Sequence, residues 1–343
     1  MQAAPFAPFM PLTVHSKNAV DPELLHGRRV LVLGYGAQGR AHALNLRDSG
    51  IDVVVGLRPG SASCCACERD AVPWQPIGAA VAEAALVMLL VPDEAQPALY
   101  RDVLDAGMRP GAALAFAHGF NIHYGRIDPR TDLDVIMIAP LGIGDQVRRT
   151  YERGAGVPAL IAVHADATGQ ARPLALAYAA ANGHGRAGIF ETSFRDETET
   201  DLFAEQAVLC GGVTHLVTAA FETLEEAGYP PELAYFCCLH ELKLITDLMY
   251  ERGIAGMRRS ISSTAEYGDY TRGPRVINEH TRKEMRALLA EIRSGSFAGE
   301  LAAEISRGWP VLAEGRERAG NHAIERTGQR MRALMPWLAR KDS

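Results

Sequence analysis

A glycine-rich motif offers the clearest chemistry in this sequence. It consists of Gly34, Tyr35, Gly36, Ala37, Gln38 and Gly39, with the spacing G-x-G-x-x-G. Gly34 would permit a tight turn, Gly36 would let the backbone approach a pyrophosphate, and Gly39 would let the following helix pack closely on a strand. Backbone N–H groups at a helix start bind phosphate. The motif predicts dinucleotide binding, the alternative being a glycine-rich turn in an unrelated α/β protein.

The segment at the end of the next predicted strand is expected to select the cofactor. NAD-binding proteins usually place Asp or Glu there for the ribose hydroxyls. This chain has G-L-R-P-G-S-A-S at 56–63, without an acid. The forked guanidinium of Arg58 and the hydroxyls of Ser61 and Ser63 suit a 2′-phosphate. We therefore expect NADPH rather than NADH. The alternatives are a solvated arginine and serines that cap a helix.

Strands and helices alternate in the first half of the chain. Short apolar runs predict buried strands at 28–35, 51–55, 85–91, 112–116, 135–139 and 159–163, with helical segments between several of them. This alternation is typical of a doubly wound parallel sheet, as in a Rossmann domain. Ligands bind such sheets at the carboxyl ends of the strands, which is where the glycine motif lies.

The second half of the chain has only helical periodicity. It predicts long helices at 199–227 and 231–253, and further helices at 278–294, 297–306 and 321–335. We therefore expect three parts. These are an N-terminal arm at 1–20, a Rossmann domain at 21–190 and an all-helical domain at 191–338.

Composition and charge exclude several classes of protein. The 35 basic and 41 acidic side chains give a net charge of −6, which argues against a nucleic-acid partner. No apolar run approaches the roughly 18 residues of a membrane span, so no membrane partner is expected. Six cysteines in 343 residues indicate reduced thiols in the cytoplasm. The spacing of Cys64, Cys65 and Cys67 matches no zinc pattern.

Longer motifs in the right order resemble those of a known family. They include G-Y-G-A-Q-G-R-A-H-A-L-N-L-R-D-S-G, A-L-A-F-A-H-G-F-N-I-H, E-T-E-T-D-L-F-A-E-Q-A-V-L-C-G-G and S-I-S-S-T-A-E-Y-G-D-Y. From about residue 20 to 338 the chain resembles bacterial ketol-acid reductoisomerases of the short-chain, class I type. The resemblance implies a Rossmann domain followed by a knotted helical domain. It also implies NADPH, two magnesium ions and an obligate homodimer with active sites shared between subunits. The implied reaction moves an alkyl group in a 2-hydroxy-2-acyl acid and then reduces the resulting ketone.

The resemblance assigns metal-binding roles to three carboxylates. Asp201 and Glu205 match the family's two metal-binding carboxylates on one helix, and a spacing of four places both on one face. Glu241 retains one carboxylate for a second magnesium ion, which prefers oxygen ligands. The alternative is a solvated acidic face, to which Glu197 and Glu199 would also belong.

Two polar residues complete the site that the resemblance implies. His118 matches the family's active-site histidine after the fourth strand, and Ser262 matches the serine that holds the substrate carboxylate. The alternatives are a loop histidine and a turn serine.

The chain departs from the family at four positions. Leu141 stands where the family has its catalytic lysine, and Asp145 stands where it has a histidine. Cys237 replaces a carboxylate of the second magnesium site. Arg40, in place of the usual histidine beside the glycine motif, is a milder change.

These departures bear on the predicted reaction. Loss of a cation and of a magnesium ligand would each lower an isomerisation rate by about 10²–10³. The negative charge of Asp145, Asp201, Glu205 and Glu241 beside the apolar Leu141 favours a protonated imine. We therefore expect an NADPH-dependent imine reductase of a specialised biosynthetic pathway, with magnesium binding undetermined. The alternatives are a ketol-acid reductoisomerase acting on 2-acetolactate in branched-chain amino-acid synthesis, and a non-catalytic NADPH-binding protein.

Overall fold

The computed structural model describes residues 11–16, 20 and 22–338, and the chain divides into two compact units between Thr198 and Glu199. The first unit is built on a nine-stranded sheet. Its strands are β1 Val14–His15, β2 Val30–Leu33, β3 Val53–Leu57, β4 Trp74–Pro76, β5 Leu86–Leu89, β6 Ala113–Phe116, β7 Asp134–Pro140, β8 Ala159–Ala165 and β9 Ile189–Glu191.

The strand order confirms the predicted Rossmann architecture. The order is β1-β9-β8-β7-β6-β5-β2-β3-β4. Pairing is parallel from β4 through β3, β2, β5 and β6 to β7. Counted from β2, these six strands have the order 3-2-1-4-5-6 of a dinucleotide-binding sheet, and the order reverses between β2 and β5. The carboxyl ends of these strands therefore form the edge on which a ligand is expected.

The sheet contains three short strands and two antiparallel pairings that the sequence analysis did not predict. β8 runs antiparallel to β7, and β1 runs antiparallel to β9. β1 lies inside segment 1–20, for which the sequence predicts a loose arm. The structure corrects that expectation for two residues: Val14 pairs with Phe190, and Nε2 of His15 lies 2.6 Å from Oε1 of Glu191. Residues 1–10 and 17–19 of the segment lie outside the described residues. A two-residue strand has no periodicity of its own, so the sequence pattern misses it.

Helices cover both faces of the sheet. They are α1 Ala37–Asp48, α2 Ser63–Arg69, α3 Ile77–Val81, α4 Gln96–Leu99, α5 Asp105–Gly107, α6 Phe120–His123, α7 Gly144–Glu152 and α8 Ala171–Ala181. Successive residues of β2 point into opposite layers. Val30 and Val32 belong to one hydrophobic cluster, whereas Leu31 and Leu33 belong to the other. A strand buried on both faces reads as a continuous apolar run, which is why the sequence reveals it.

The second unit is helical, as predicted. Its helices are α9 Phe194–Ala204, which spans the division between the units, α10 Gly211–Glu226, α11 Pro231–Tyr235, α12 Glu241–Arg258, α13 Ser263–Val276, α14 Glu279–Ser294, α15 Ser296–Ser306, α16 Pro310–Gly320 and α17 Ala323–Ala333. π-helical segments at Glu205–Leu209 and Phe236–His240 continue α9 into α10 and α11 into α12. The sequence did not predict α13 and α16. Pro274 lies inside α13, where proline usually signals a break, whereas Pro310 stands at the first position of α16, where proline is favoured.

Much apolar surface of the second unit is exposed. A small core surrounds Val217, Phe221 and Tyr235. The run Phe194–Glu226 has the length and composition of a membrane-spanning helix: an 18-residue window within it has a mean hydropathy of 1.4, and 11% of that window is buried in this chain. A helix covered by another protein chain has the same length and composition. Large apolar side chains also remain exposed elsewhere in the unit, among them Leu244, Tyr250, Ile254, Tyr267 and Tyr270.

Candidate functional site

The glycine motif forms the turn between β2 and α1. Gly34 has φ +100°, and a Cβ there would lie 2.7 Å from the carbonyl oxygen of Leu90, so only glycine fits. Gly36 precedes α1, and a Cβ there would meet nothing within 4 Å. No side-chain hydrogen bond caps the start of α1. The start of α1 lies at the carboxyl edge of the sheet without a side-chain cap, and this turn fits the pyrophosphate of a dinucleotide.

Tyr35 and Arg40, on either side of this turn, share one partner. The Tyr35 hydroxyl donates to Oδ2 of Asp70 at 2.9 Å. Arg40 donates through Nε to Oδ2 at 2.6 Å and through Nη2 to Oδ1 at 2.8 Å. Hydrogen bonds from Arg40 hold the pKa of the Asp70 carboxyl below its usual range, although burial opposes them. The change from histidine to Arg40 therefore accompanies a two-pronged ion pair.

The predicted cofactor-selecting residues lie in one turn between β3 and α2. The N–H of Ser61 donates to the carbonyl oxygen of Arg58 at 3.1 Å, and α2 begins at Ser63. The Ser61 hydroxyl accepts from the N–H of Ser63 at 3.3 Å, whereas the N-cap of α2 is Ala62, without a side-chain cap. The Arg58 side chain is exposed. Because β3 is the neighbour of β2, this turn lies beside the glycine turn at the same edge of the sheet.

The loop after β7 packs directly on the glycine turn. The Gln38 side-chain amide donates to the carbonyl oxygen of Gly142 at 2.9 Å. A Cβ at Gly144 would lie 2.2 Å from the carbonyl carbon of Ala37, so the two backbones touch. Leu141, at the position of the family's lysine, is 54% exposed.

Asp145 and Gln38 lie on opposite sides of the contact between the loop after β7 and the glycine turn. Asp145 lies in the first turn of α7 and is exposed. Oε1 of Gln38 is buried without a hydrogen-bond partner among the described residues. Together with its amide contact to the β7 loop, this places Gln38 between the cofactor turn and the loop that carries Leu141.

A buried carboxylate that the sequence analysis passed over holds His118. Nδ1 of His118, just after β6, lies 2.8 Å from Oε1 of Glu197. The backbone N–H of Gly119 donates to Oε2 of the same carboxylate at 2.8 Å. Glu197 is 3% exposed, so it is a core residue rather than part of a solvated acidic face. An ionised Glu197 only accepts hydrogen bonds, so Nδ1 carries a proton and the imidazole is held in one orientation.

A second polar network ties the loop after β5 to the loop after β6. The buried Asn121 amide donates to the backbone oxygen of Asp93 and to Oε1 of Gln96, both at 2.9 Å. Gln96 in turn donates to Oδ1 of Asp93 at 3.0 Å. Burial raises the pKa of Asp93, while His118 opposes this. No sequence pattern predicts this network, because its members come from separate segments of the chain.

The predicted metal ligands lie on helices of the second unit. Asp201 is in α9, and Glu205 begins the π-helical segment one turn later. Cys237 lies in the other π-helical segment, four residues before Glu241 at the start of α12. Glu205, Glu241 and Cys237 are exposed. The three carboxylates fit a hard cation such as magnesium, whereas the Cys237 thiol does not.

Ser262 begins a helix. It is the N-cap of α13, and its hydroxyl accepts from the N–H of Ala265 at 3.2 Å. The hydroxyl proton is not used in that contact and remains available to a carboxylate.

Family models match both parts of the chain. The model for the NADPH-binding domain of acetohydroxy acid isomeroreductase matches residues 24–188. The model for the C-terminal domain of ketol-acid reductoisomerase matches residues 194–337. A solved NADH-preferring ketol-acid reductoisomerase from an uncultured archean is 43% identical. The match covers 94% of this chain and 99% of that one, with a TM-score of 0.92.

More distant structures share the fold alone. A semialdehyde dehydrogenase NAD-binding protein from Cupriavidus necator is 17% identical over 78% of this chain and 99% of that one, with a TM-score of 0.60. A pyrroline-5-carboxylate reductase from Coxiella burnetii is 15% identical over 78% and 98%, with a TM-score of 0.55.

These comparisons correct the expected reaction. The expectation of an imine reductase is wrong, because both domains match ketol-acid reductoisomerase models and the 43% identical relative is such an enzyme. The expectation relied on the cation and the magnesium ligand missing at Leu141 and Cys237, and on the negative charge of the surrounding carboxylates. It left out the His118–Glu197 pair, which only the fold brings together.

Proposed function

The chain belongs to the ketol-acid reductoisomerase family, and we propose that it catalyses the family's reaction on 2-acetolactate in the cytoplasm, as a step of branched-chain amino-acid synthesis. It is an oxidoreductase that uses a nicotinamide cofactor. The observation that carries the proposal is the 43% identity to a ketol-acid reductoisomerase over 94% of the chain.

The first unit supplies the cofactor turn and an oriented imidazole. The open start of α1 would hold the pyrophosphate of the cofactor, as its uncapped N–H groups favour an anion. His118 is held by the buried Glu197 at the carboxyl end of β6, where substrate groups approach such a sheet. A carboxylate partner fixes the tautomer and orients the ring, so His118 is suited to move a proton.

Carboxylates of the second unit would hold magnesium. Asp201, Glu205 and Glu241 offer the oxygen ligands that this ion prefers. Bound magnesium would stabilise negative charge that develops on substrate oxygens during the alkyl shift and the reduction. Ser262 would donate its hydroxyl proton to the substrate carboxylate. Cys237 leaves the second magnesium position one oxygen ligand short.

NADPH is the cofactor that we propose. The turn at 58–63 presents the cation of Arg58 and two serines, and it contains no acid that would repel a 2′-phosphate. The 43% identical relative prefers NADH. A measurement on this chain must therefore compare both cofactors.

A homodimer with shared active sites is the proposed assembly. The exposed apolar side chains of the second unit, such as Tyr250 and Ile254, support it. Surfaces of this kind usually mark an interface. The match of residues 194–337 to the C-terminal domain of the family supports it further.

Oxidation of NADPH in the presence of 2-acetolactate and magnesium tests the proposed reaction. We expect turnover of about 1 per second or faster, which is ordinary for enzymes. The Asp201→Asn variant should lose this activity and still bind NADPH, because the glycine turn is unchanged. A wild-type protein that binds NADPH and leaves 2-acetolactate unchanged would overturn the proposal.

A further inference from the structure

Three side chains connect the glycine turn to the far end of α2. Tyr35 lies within the turn, Arg40 lies in the first part of α1, and Asp70 directly follows α2. The Asp70 carboxylate accepts hydrogen bonds from Tyr35 at 2.9 Å and from two nitrogens of Arg40 at 2.6 and 2.8 Å. We call these three residues the Asp70 brace.

The brace is held in one ionisation state and one position. The Asp70 side chain is 9% exposed, and its bonds to Arg40 lower the pKa of its carboxyl. The same bonds raise the pKa of Arg40, and burial raises that of Tyr35. Nη1 of Arg47 also donates to the backbone oxygen of Asp70. At neutral pH the group is therefore an ion pair with an added neutral donor, fixed through both side chain and backbone.

The brace fixes the distance between two anion-binding segments. α2 has seven residues and is about 10 Å long. Its first residue is Ser63, which ends the turn that begins at Arg58, and its last is followed by Asp70. The position of Asp70 beside the glycine turn therefore sets where the Arg58–Ser63 turn stands relative to the start of α1.

A dinucleotide with a 2′-phosphate contacts both segments at once. Its pyrophosphate would lie at the start of α1 and its 2′-phosphate at the Arg58–Ser63 turn. For a ligand with two linked contact points, affinity depends on how well their spacing matches that of the subsites. The affinity of a ligand that makes only one of the two contacts does not depend on that spacing.

Resting on the cofactor named under the proposed function, we propose that Asp70 is a positioning residue for NADPH. Through Tyr35 and Arg40 it sets the spacing between the pyrophosphate turn and the 2′-phosphate turn. Asp70 itself touches neither phosphate.

Binding of two ligands to the Asp70→Asn variant tests the proposal. NADPH, titrated by fluorescence, spans both segments, whereas adenosine 2′-monophosphate, titrated by calorimetry, reaches only the Arg58–Ser63 turn. We expect the Kd for NADPH to rise about tenfold and the Kd for adenosine 2′-monophosphate to change less than twofold. The matched control is Asp52→Asn, which removes the carboxylate that accepts from Nε of Arg29 at 3.0 Å on the surface, and it should change neither value.

Other outcomes would overturn the proposal. Equal weakening of both ligands would mean that Asp70 only maintains the local fold. Tighter NADPH binding with a steeper salt dependence would mean that Asp70 merely neutralises Arg40. If Asp70→Asn does not fold, Tyr35→Phe should give the same pattern more weakly, with an NADPH Kd raised two- to fivefold, and an unchanged value would contradict the brace. A wild-type protein that binds neither ligand would contradict the proposed cofactor, and the brace with it.

Discussion

At the scale of single residues, Glu197 is the buried carboxylate that orients His118. It occurs in an acidic sequence, E-T-E-T-D, in which every acid looks alike. The fold buries its side chain against His118 and the N–H of Gly119. Burial of a carboxylate without partners is unfavourable, and these hydrogen bonds offset that cost.

The Glu197→Gln variant tests the orienting role. The amide keeps the shape of the side chain and loses the negative charge that holds Nδ1–H of His118. We expect kcat to fall about 10- to 100-fold, as for other carboxylates that orient a histidine, with little change in the Kd for NADPH. The control is Glu94→Gln, at an exposed neighbouring loop position, which should keep the wild-type kcat. An unchanged kcat for Glu197→Gln would contradict the role.

In our proposal, Ser61 and Ser63 make the protein select NADPH over NADH. Replacement of Ser61 and Ser63 by Asp places like charge against a 2′-phosphate. The KM for NADPH should rise at least tenfold more than the KM for NADH, because repulsion acts against one ligand only. Steady-state kinetics with both cofactors measures this. Equal changes for both would show that the 2′-phosphate binds elsewhere.

At the scale of elements, the contact between the glycine turn and the start of α7 is a close constraint on the site. Gly144 touches the backbone of Ala37, and Gln38 bonds to Gly142. The positions of the two loops are therefore coupled, so we expect a change in one to alter the other.

The Gly144→Ala variant measures this coupling. The added Cβ would lie 2.2 Å from backbone, which no side-chain rearrangement relieves. We expect a loss of stability of about 1–3 kcal/mol, typical of overpacking, and a raised Kd for NADPH. Gly78→Ala, in α3 with nothing within 4 Å of its Cβ, is the control and should be neutral or stabilising. Equal melting temperatures for the two variants would contradict the contact.

At the scale of the whole molecule, two buried histidines link stability to pH. Burial lowers the pKa of His42 to about 3 and that of His184 to about 4. In the unfolded chain both should titrate near 6.5. Between these values the unfolded state binds protons that the folded state does not, so stability falls as pH decreases from about 6.5 toward 4.

Urea denaturation between pH 7.5 and pH 4.5 checks this linkage. The midpoint should fall as the pH is lowered, and the fall should be smaller in the His42→Gln variant. His26→Gln, at an exposed position, should retain the wild-type dependence. A His42→Gln profile parallel to wild type would show that other groups cause the acid sensitivity.

Mixing of two inactive variants tests the shared active site. Glu205→Gln and Glu241→Gln should each abolish turnover of 2-acetolactate. If the two carboxylates of one site come from different subunits, a mixed dimer keeps one intact site of two. Random exchange should then restore about a quarter of the wild-type activity, as follows from two-fold symmetry. No recovery in dimers shown to have exchanged would contradict a shared site.

Local sequence patterns were sufficient to predict the Rossmann sheet, the glycine turn and the helical second half. Each of these has a local signature, whether an apolar run such as 30–33, a fixed glycine spacing or a helical period. The residues that the chain shares with its family, such as His118 and Asp201, could also be identified from the sequence, because they lie in continuous motifs.

What those residues contact depends on the tertiary structure. Glu197 is 79 residues from His118, Asp70 is 30 from Arg40, and Gly142 is 104 from Gln38. Residues so far apart in the chain have no characteristic sequence spacing that would predict their contact. They meet because the strand order of the sheet brings the ends of distant strands to one edge. A carboxylate with the same sequence neighbours can be solvated in one fold and buried in another. Which of the two occurs depends on the groups that pack around it.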